Sequence, residues 1–489
     1  VCSSDLGSDA TGSIDSGVIV KDSNGKLLIK VTIDKRYITL APISNLVGLA
    51  IDVQDPDQHL PETLSGITLV LLETKHYPSL QQNYHHNPNN VGFPNGPLKG
   101  SLEIPIENVI GGSSKIGHGW PMLMECLAVG RGVSLPATAN ASSKTLTYAM
   151  WLYTKHRRQF KLPLAKMEGV QEKFMNMFFH TWVIQSSVAF TNCILDSGAT
   201  PSVITAIMKQ QTTERARSVI LDGMDIFAGS GICIGPNNIF TKFYNAAPVG
   251  VTVEGSNVLT RSLIIFGQGL NKSHPHIFPL LESIEQDDTM AFQKQWNQLM
   301  GHVFTNYVFS LQPLSISSSA TSRLRLVTTK FANTSNFVAL LAGGIKSKQS
   351  LSGKMADAMS SIFLAYSVIW YHEYHMTSHQ KPLLDYCVHR LCEEAERSIN
   401  DVIQMYPIQS LRPLLLLCQF PSIKTTEFSP SVFHLLFHDK HLLSELKADV
   451  FIDPMLSKME TLDSISPDHD MYPSLYNDVI SVGEFHMKQ

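Results

Sequence analysis

A single carboxylate, Glu254, follows three mostly apolar residues in the run GVTVEGSNVLTRSLIIFGQG, between Val253 and Gly255 and seven residues before Arg261. A carboxylate entering an apolar segment is costly unless it is paired or protonated, so its presence needs a reason. Two readings fit. Glu254 is either a capping or ion-paired residue at an element boundary, or a general base with a pKa raised by burial and a backbone freed by Gly255 to face a ligand.

A second group lies in KHRRQF. Lys155, His156, Arg157 and Arg158 end a helical pattern with an apolar interior, and Gln159 and Phe160 follow. Basic residues at a helix C-terminus gain from the dipole. The functional alternative has Arg157 pairing bidentately with a phosphate while Phe160 packs nearby. Arg131, between Gly130 and Gly132, is either a surface arginine or a ligand-facing one. The glycine clusters FAGSGICIGP and IIFGQG match neither GxGxxG after a strand nor a GxxxxGK[ST] phosphate loop. Gly229 and Gly231 therefore mark either a helix stop or backbone held close to a cofactor. No GxSxG elbow, HExxH or paired CxxC occurs, and His85-His86 and His274-Pro275-His276 lack partners at ligand spacing, so no metal site is expected.

Composition narrows the class. With 489 residues, 44% apolar, 16% charged and a formal net charge of -4, the chain is globular and offers no electrostatic case for nucleic acid. Seven cysteines, an odd number spread from Cys2 to Cys418, suggest free thiols and a reducing compartment. No stretch reaches the roughly 18 apolar residues needed to span a bilayer; the nearest, Met359 to Trp370, is interrupted by serines. No signal-peptide pattern is present. The first residue is Val1, inside a turn-rich opening, which reads as a fragment whose upstream part is absent.

The elements that must position these residues fall into three zones. From 10 to about 108, short β-rich runs predict strands at Gly17–Val20, Lys26–Ile33, Tyr37–Leu40, Leu46–Val53 and Ile67–Leu72, closed by KGSLEIPIENV. KDSNGK supplies a hairpin turn between the first two. A small barrel or sandwich is expected. From about 115 to 290, helical spacing covers Pro121–Ala128, Ala139–Arg158, Glu168–Leu195 and Pro201–Phe227, which predicts an up-and-down bundle. From 291 on, Phe292–Leu311, Ser322–Leu341, Leu351–Glu373 and Leu383–Met405 carry long apolar faces. The stretch after Pro421 is expected to wrap the surface as short helices and loops. The domains expected are thus 1–108, 109–290 and 291–489, in an α+β chain.

Several motifs carry a resemblance. GSD at 7–9, DKRYITLAP at 34–42, NPNNVGFPNGPLKG at 87–100, GWPMLMECLAVGRG at 119–132, KHRRQFKLP at 155–163, MDIFAGSGICIGP at 224–236 and the run around Glu254 follow in order. Together they resemble the acyl-CoA dehydrogenase family, most closely its large bacterial fatty acyl-CoA dehydrogenases with an extra C-terminal helical domain. The resemblance continues through LLAGGIKSKQSLSGKMADAMS to about residue 420. It implies a middle β domain, a C-terminal helical bundle and an additional mostly helical domain, with a first helical domain missing. It also implies FAD and the α,β-dehydrogenation of a fatty acyl-CoA thioester.

By that resemblance Glu254 removes the α proton and its own backbone N–H polarises the thioester carbonyl, while the β hydrogen leaves as hydride to the flavin. Tyr37 and Thr39 match flavin-contacting positions. Arg157, Gln159 and Phe160 match an RxQF segment reaching FAD across a subunit boundary, and Gly229 and Gly231 match a glycine loop near its adenine end. Ser256 and Asn257 follow the base in the flavin-contacting loop. Ser8, Arg131 and Gly255 fall on the substrate side. Implied partners are fatty acyl-CoA, an electron-transferring flavoprotein and further copies of the chain. The implied location is cytoplasmic or peripheral to a bacterial inner membrane, with any anchor upstream of Val1. Without the upstream domain, weakened acyl-CoA binding is expected. Lys161 and Ala228 stand where the family has glycine, Phe227 where the subgroup has histidine and Ile33 where it has tryptophan. VCSSDL replaces a threonine-containing run. These departures motivate the alternative of a diverged, non-catalytic interaction protein that binds FAD poorly.

Overall fold

The computed structural model describes residues 2–3, 15–60, 64–123, 130–311, 319–376, 380–421, 423 and 428–480. The chain is α+β and divides into two compact units, Val1–Gly130 with Pro248–Ser256, and Arg131–Ala247 with Asn257–Gln489.

The first unit is built on a six-stranded sheet: β1 (Cys2–Ser3), β2 (Ser16–Lys21), β3 (Leu27–Thr39), β4 (Leu46–Gln54), β5 (Gly66–Glu73) and β6 (Asn95–Pro105). β2 and β3 form the expected hairpin, Lys21 opposite Leu27. Its turn is held by Asp22, whose Oδ1 accepts from the N–H of Asn24 (2.8 Å) and Lys26 (2.7 Å), with Gly25 at φ 78°. β2 and β1 run parallel to β4, while β5 and β6 pair antiparallel to β4 and β3. Alternation along β2 to β6 puts Ile19, Ile29, Val31, Ile33, Val47, Ile51, Val70, Leu98, Leu102 and Ile104 in one core.

The two strands expected at 26–33 and 37–40 are one. β3 continues through a register shift, with Lys35 opposite Leu98 and Ile38 opposite Gly96, so one extra residue bulges from β3 between them. A bulge keeps the ladder on both sides while turning the local backbone.

The second unit is helical. Its long helices are α1 (Leu135–His156), α2 (Glu168–Asp196), α3 (Ser202–Phe227), α4 (Thr241–Thr252, whose Pro248 marks the division between units), α5 (Ile277–Glu285), α6 (Thr289–Ser310), α7 (Ala320–Ala339), α8 (Gln349–His375) and α9 (Lys381–Met405). α1 to α3 and α6 to α9 lie close to the helical spacings in the sequence. α4 and α5 are not among the expected helices, and most of the one expected at Pro121–Ala128 falls outside the described residues. Pro136 occupies the first turn of α1, where its missing N–H is harmless, and Asp288 and Ser319 cap α6 and α7. Aromatic side chains fill the centre: Trp151 stacks on Phe437 at 5.4 Å and Phe178 on Trp182 at 5.7 Å. One core cluster spans residues from Leu146 to Val479. The domain boundary near 290 lies within this unit and stands as a proposal about how its helices group.

The tail differs from the surface wrap expected of it. α10 (Pro430–Phe437), α11 (Lys440–Lys447), α12 (Pro454–Ser464) and α13 (Tyr472–Ile480) bury Phe433, Leu436, Leu442, Leu446, Leu456, Met459 and Leu462 in that same core. Their spacing of three and four residues gives each short helix an apolar stripe, which needs a partner to be stable. Among the described residues no helix is long and apolar enough to cross a membrane.

Among the described residues of the first unit, one charge is fully enclosed. Lys35, at the bulge, is 0% exposed and pairs with Asp15 at 3.1 Å. Removing one partner of such a pair leaves a buried charge, so Asp15→Ala should destabilise the first unit by about 3 kcal/mol. The double change Asp15→Ala, Lys35→Met should recover most of that loss. Urea unfolding of the three proteins checks this, and equal stability of wild type and Asp15→Ala contradicts it.

Candidate functional site

The residues singled out by the sequence fall into two sets, one in each unit. Ser8 lies outside the described residues. In the first unit, Tyr37 sits in the β3 bulge with φ 55° and is 68% exposed. It rests on His86, ring centres 5.0 Å apart. His86 in turn lines a cavity of about 590 Å³ together with Arg36, Tyr84 and Lys99. Thr39, two residues on, is exposed and pairs with Asn95. The bulge therefore aims an aromatic outward beside a recess carrying cationic side chains.

Glu254 belongs to the same unit. Helix α4 ends with the N–H of Val253 donating to Val249 O at 2.9 Å, and the chain then turns through Glu254 (φ 54°) and Gly255 (φ 94°). The carboxylate lies against Gly130: a Cβ built there would meet Oε1 at 3.0 Å and Oε2 at 3.3 Å. Glu254 is exposed, so the burial expected of a base in an apolar segment is not found. Two successive left-handed residues carry the side chain away from the helix, which accounts for the difference. Gly255 and Ser256 are half-buried.

In the second unit the helical run after Gly255 begins with Asn257, which is 3% exposed. Its Oδ1 accepts from buried Lys209 at 2.7 Å, and its Nδ2 donates to Thr213 Oγ1 and Glu214 Oε1, both at 2.9 Å. Both amide hydrogens and the carbonyl thus tie the start of a nine-residue π segment, Thr260–Gln268, to α3. Arg261 pairs bidentately with Asp357 of α8, at 2.6 and 2.5 Å, lying over Gly353, where a Cβ would meet the guanidinium at 2.5 Å. Arg131 is half-buried in a π turn, Gly130–Ser134, and Gly132 presses on Thr205 of α3 so closely that a Cβ would lie 2.6 Å from its methyl.

The RxQF stretch forms a hairpin at the end of α1. Arg158–Gln159 pairs with Leu162–Pro163, leaving Phe160 (φ 48°) and Lys161 (φ 68°) as a two-residue turn. Positive φ at both centres is the type I′ arrangement, which favours Asn-Gly. Phe160 at the tip is 91% exposed. Arg157 is half-buried; its N–H donates to Tyr153 O, and Leu164 N–H donates to Arg157 O, each at 2.9 Å. The glycine loop follows α3. Ala228 turns the chain at φ 53°, ψ −129°, then Gly229–Ile232 makes one helical turn. Open space surrounds the place of a Cβ on Gly229, while one on Gly231 would lie 3.1 Å from Met224 O.

Sequence reasoning missed Tyr153, which joins these two elements. Its ring meets Phe227, the residue before Ala228, edge-on at 4.7 Å. Burial pushes its hydroxyl pKa up, with Arg157 and Ser230 pulling the other way. Nothing in its spacing separates it from the other apolar residues of α1. Among the described residues no group of three or more His, Cys, Asp or Glu could hold a metal ion.

Lys161 and Ala228 carry backbone that glycine adopts freely and other residues adopt at a cost. Ala228→Gly should therefore raise stability by about 1 kcal/mol, net of the entropy glycine adds to the unfolded chain. Lys161→Gly should gain about 0.5 kcal/mol on the same reasoning. Thermal unfolding measures both; a lowered Tm in each would show the turns to be unstrained.

Comparison with known proteins bears on the whole chain. A model of the acyl-CoA dehydrogenase C-terminal domain matches residues 117–267, and one of the bacterial-type acyl-CoA dehydrogenase C-terminal region matches 271–455. A probable acyl-CoA dehydrogenase of Bacillus subtilis (strain 168) is 25% identical over 214 residues, 40% of this chain and 35% of that protein. Protein HemX of Proteus mirabilis is 39% identical over 102 residues, 20% of this chain and 59% of that protein. The chain thus spans between about a third and three-fifths of the length of these curated relatives. The crystal structure of an acyl-CoA dehydrogenase complexed with FAD from Bacillus anthracis shares the fold, with a TM-score of 0.70 and 17% identity over 91% of this chain and 75% of that one. With two adjoining family models covering most of its length from residue 117 to 455, the chain belongs to the acyl-CoA dehydrogenase family.

Proposed function

We propose that the chain is the β-domain and C-terminal part of an FAD-dependent acyl-CoA dehydrogenase that oxidises saturated medium- to long-chain fatty acyl-CoA to the trans-2-enoyl-CoA. Electrons leave to an electron-transferring flavoprotein, and the working protein is a homo-oligomer. The observation that carries this reading is the setting of Glu254. The residue that the family resemblance marks as base is an outward-facing carboxylate on a left-handed turn, against a glycine whose missing side chain leaves it room.

The residue types present fit a flavin dinucleotide. Gly229 leaves open space at the backbone, Arg157 offers a cation for a phosphate, and Tyr37 and Phe160 are exposed aromatics. Thr39, Gln159, Gly231 and Ser256 complete the proposed holding set. Asn257, a flavin contact by the resemblance, is buried with its amide paired inside the protein and would act only by fixing the loop after the base. Bound FAD would supply the acceptor for the β hydrogen and the electrons. The chain's own part is to bind and to move one proton. Glu254 would take the α proton, its backbone N–H would polarise the thioester carbonyl, and Ser8, Arg131 and Gly255 would orient the substrate.

A second reading, a diverged interaction protein with weak FAD binding, is favoured by the strained Lys161 and Ala228. Flavin absorbance separates the two. The full-length protein, with the upstream domain restored, should be yellow and bleach on adding palmitoyl-CoA; a colourless full-length protein favours the second reading. Glu254→Gln should slow bleaching by roughly 10²- to 10⁴-fold, because the amide cannot accept the proton. Its flavin content and acyl-CoA affinity should change far less, since the base acts in the transition state. Near-normal bleaching by Glu254→Gln would remove it from the mechanism.

A further inference from the structure

The hairpin at Arg158–Pro163 cannot hold itself. It has two ladder pairs, a turn filled by Phe-Lys at left-handed φ, and an exposed tip. Something outside it must fix its entry. Asp463 of α12 accepts from Lys155 Nζ at 3.1 Å and from His156 Nε2 at 3.0 Å, on the last two residues of α1 before Arg157. The other ring nitrogen of His156 is bonded to the hydroxyl of Tyr472 of α13 at 3.2 Å. Both nitrogens of the residue preceding Arg157 are thus engaged by tail helices. Burial would push the Asp463 carboxyl up, but its hydrogen bond to His156 and the Lys155 charge hold it below the usual carboxylate range.

The same tail reaches the glycine loop. Asn237 Nδ2, six residues after Gly231, donates to the carbonyl of Asp478 at 2.7 Å. Lys242 Nζ donates to Asp453, the cap of α12, at 2.9 Å. Tyr153 of α1, one turn before Arg157, packs edge-on against Phe227 beside the glycine loop at 4.7 Å. Met455, Leu456, Met459 and Leu462 seat α12 in the core, so the polar grip rests on a fixed helix.

We propose that the segment from Asp453 to Ile480 is a strap that positions the hairpin Arg158–Pro163 and the loop at Gly229–Gly231 for dinucleotide binding, with Asp463 as its principal positioning residue. The dinucleotide in this statement rests on the function proposed above; the strap itself does not. Asp463 touches no ligand in this scheme. It acts through Lys155 and His156 by fixing where Arg157 and the turn emerge. A charge-assisted hydrogen bond at a helix end is strong enough to do this, whereas the two-pair ladder is not.

The test uses amide hydrogen exchange of the whole chain without added flavin, followed by FAD titration monitored by flavin fluorescence. In Asp463→Ala, amides of residues 157–164 should exchange about tenfold faster while those in the middle of α2 stay unchanged. Tyr472→Phe, which removes one hydroxyl and leaves the packing, should shift the same amides by a smaller factor. The FAD Kd of Asp463→Ala should rise about tenfold, and saturating FAD should restore protection of 157–164. Unchanged protection of 157–164 in both variants would overturn the strap, and so would faster exchange spread evenly into α2. A wild-type chain that binds no FAD would instead strike at the proposed function, and the exchange result would still decide the role of Asp463.

Discussion

Left-handed backbone at residues with side chains is the constraint on which the candidate site depends. Tyr37, Phe160, Lys161, Ala228 and Glu254 all have φ between 48° and 68°. For an L-residue this conformation costs about 1–2 kcal/mol, so an isolated turn would relax out of it. Each persists because its flanks are fixed. Tyr37 is held by ladder pairs on both sides of the bulge, and Ala228 by its N–H to Met224 O (2.8 Å) with Phe227 packed between Tyr153 and Phe240. Glu254 follows a helix end closed by Val253. The gain is direction: every one of these residues points a side chain or a backbone group out of the element that carries it.

In the helical unit, burial and polar pairing divide the task of holding those flanks. Aromatic packing of Trp151, Phe174 and Phe178 against Phe433 and Phe437 joins α1 and α2 to the tail without directional preference. Direction comes from hydrogen bonds at the edge of that core. Tyr148 donates to Glu460 at 2.7 Å and Tyr371 to Glu445 at 3.0 Å, each pairing a buried phenol with a tail carboxylate. Burial and the neighbouring carboxylate both push the Tyr371 hydroxyl up, to about 12, so it stays a donor across the ordinary pH range. Apolar stripes thus decide that the tail docks, and the paired acids decide its register.

The candidate site was legible in part. The sequence marked Glu254 as the exceptional carboxylate and KHRRQF as a basic helix end, and both lie where an element stops. It offered no means of telling that Arg261 answers Asp357, 96 residues away, or that Asn257 closes a buried network with Lys209 and Thr213. It also took the basic cluster as one feature. The structure splits it: Lys155 and His156 serve the tail, while Arg157 enters the hairpin. Each of these distinctions rests on a partner distant in sequence, and periodicity carries no information about such partners.

What the sequence determined by itself was local. Alternation placed β2, β4 and β5, Asn24-Gly25 placed the first hairpin, and three-to-four spacing placed α1 to α3 and α6 to α9, because such patterns fix which face of an element must leave water. The tertiary structure decided the rest. It merged two expected strands across a bulge, drew an apparently polar tail into the core, exposed the carboxylate that the general-base reading placed in a buried setting, and set non-glycine residues in left-handed turns. These outcomes are settled by which distant surfaces compete for the same apolar area and the same hydrogen-bond donors. That competition is resolved only when the whole chain has packed.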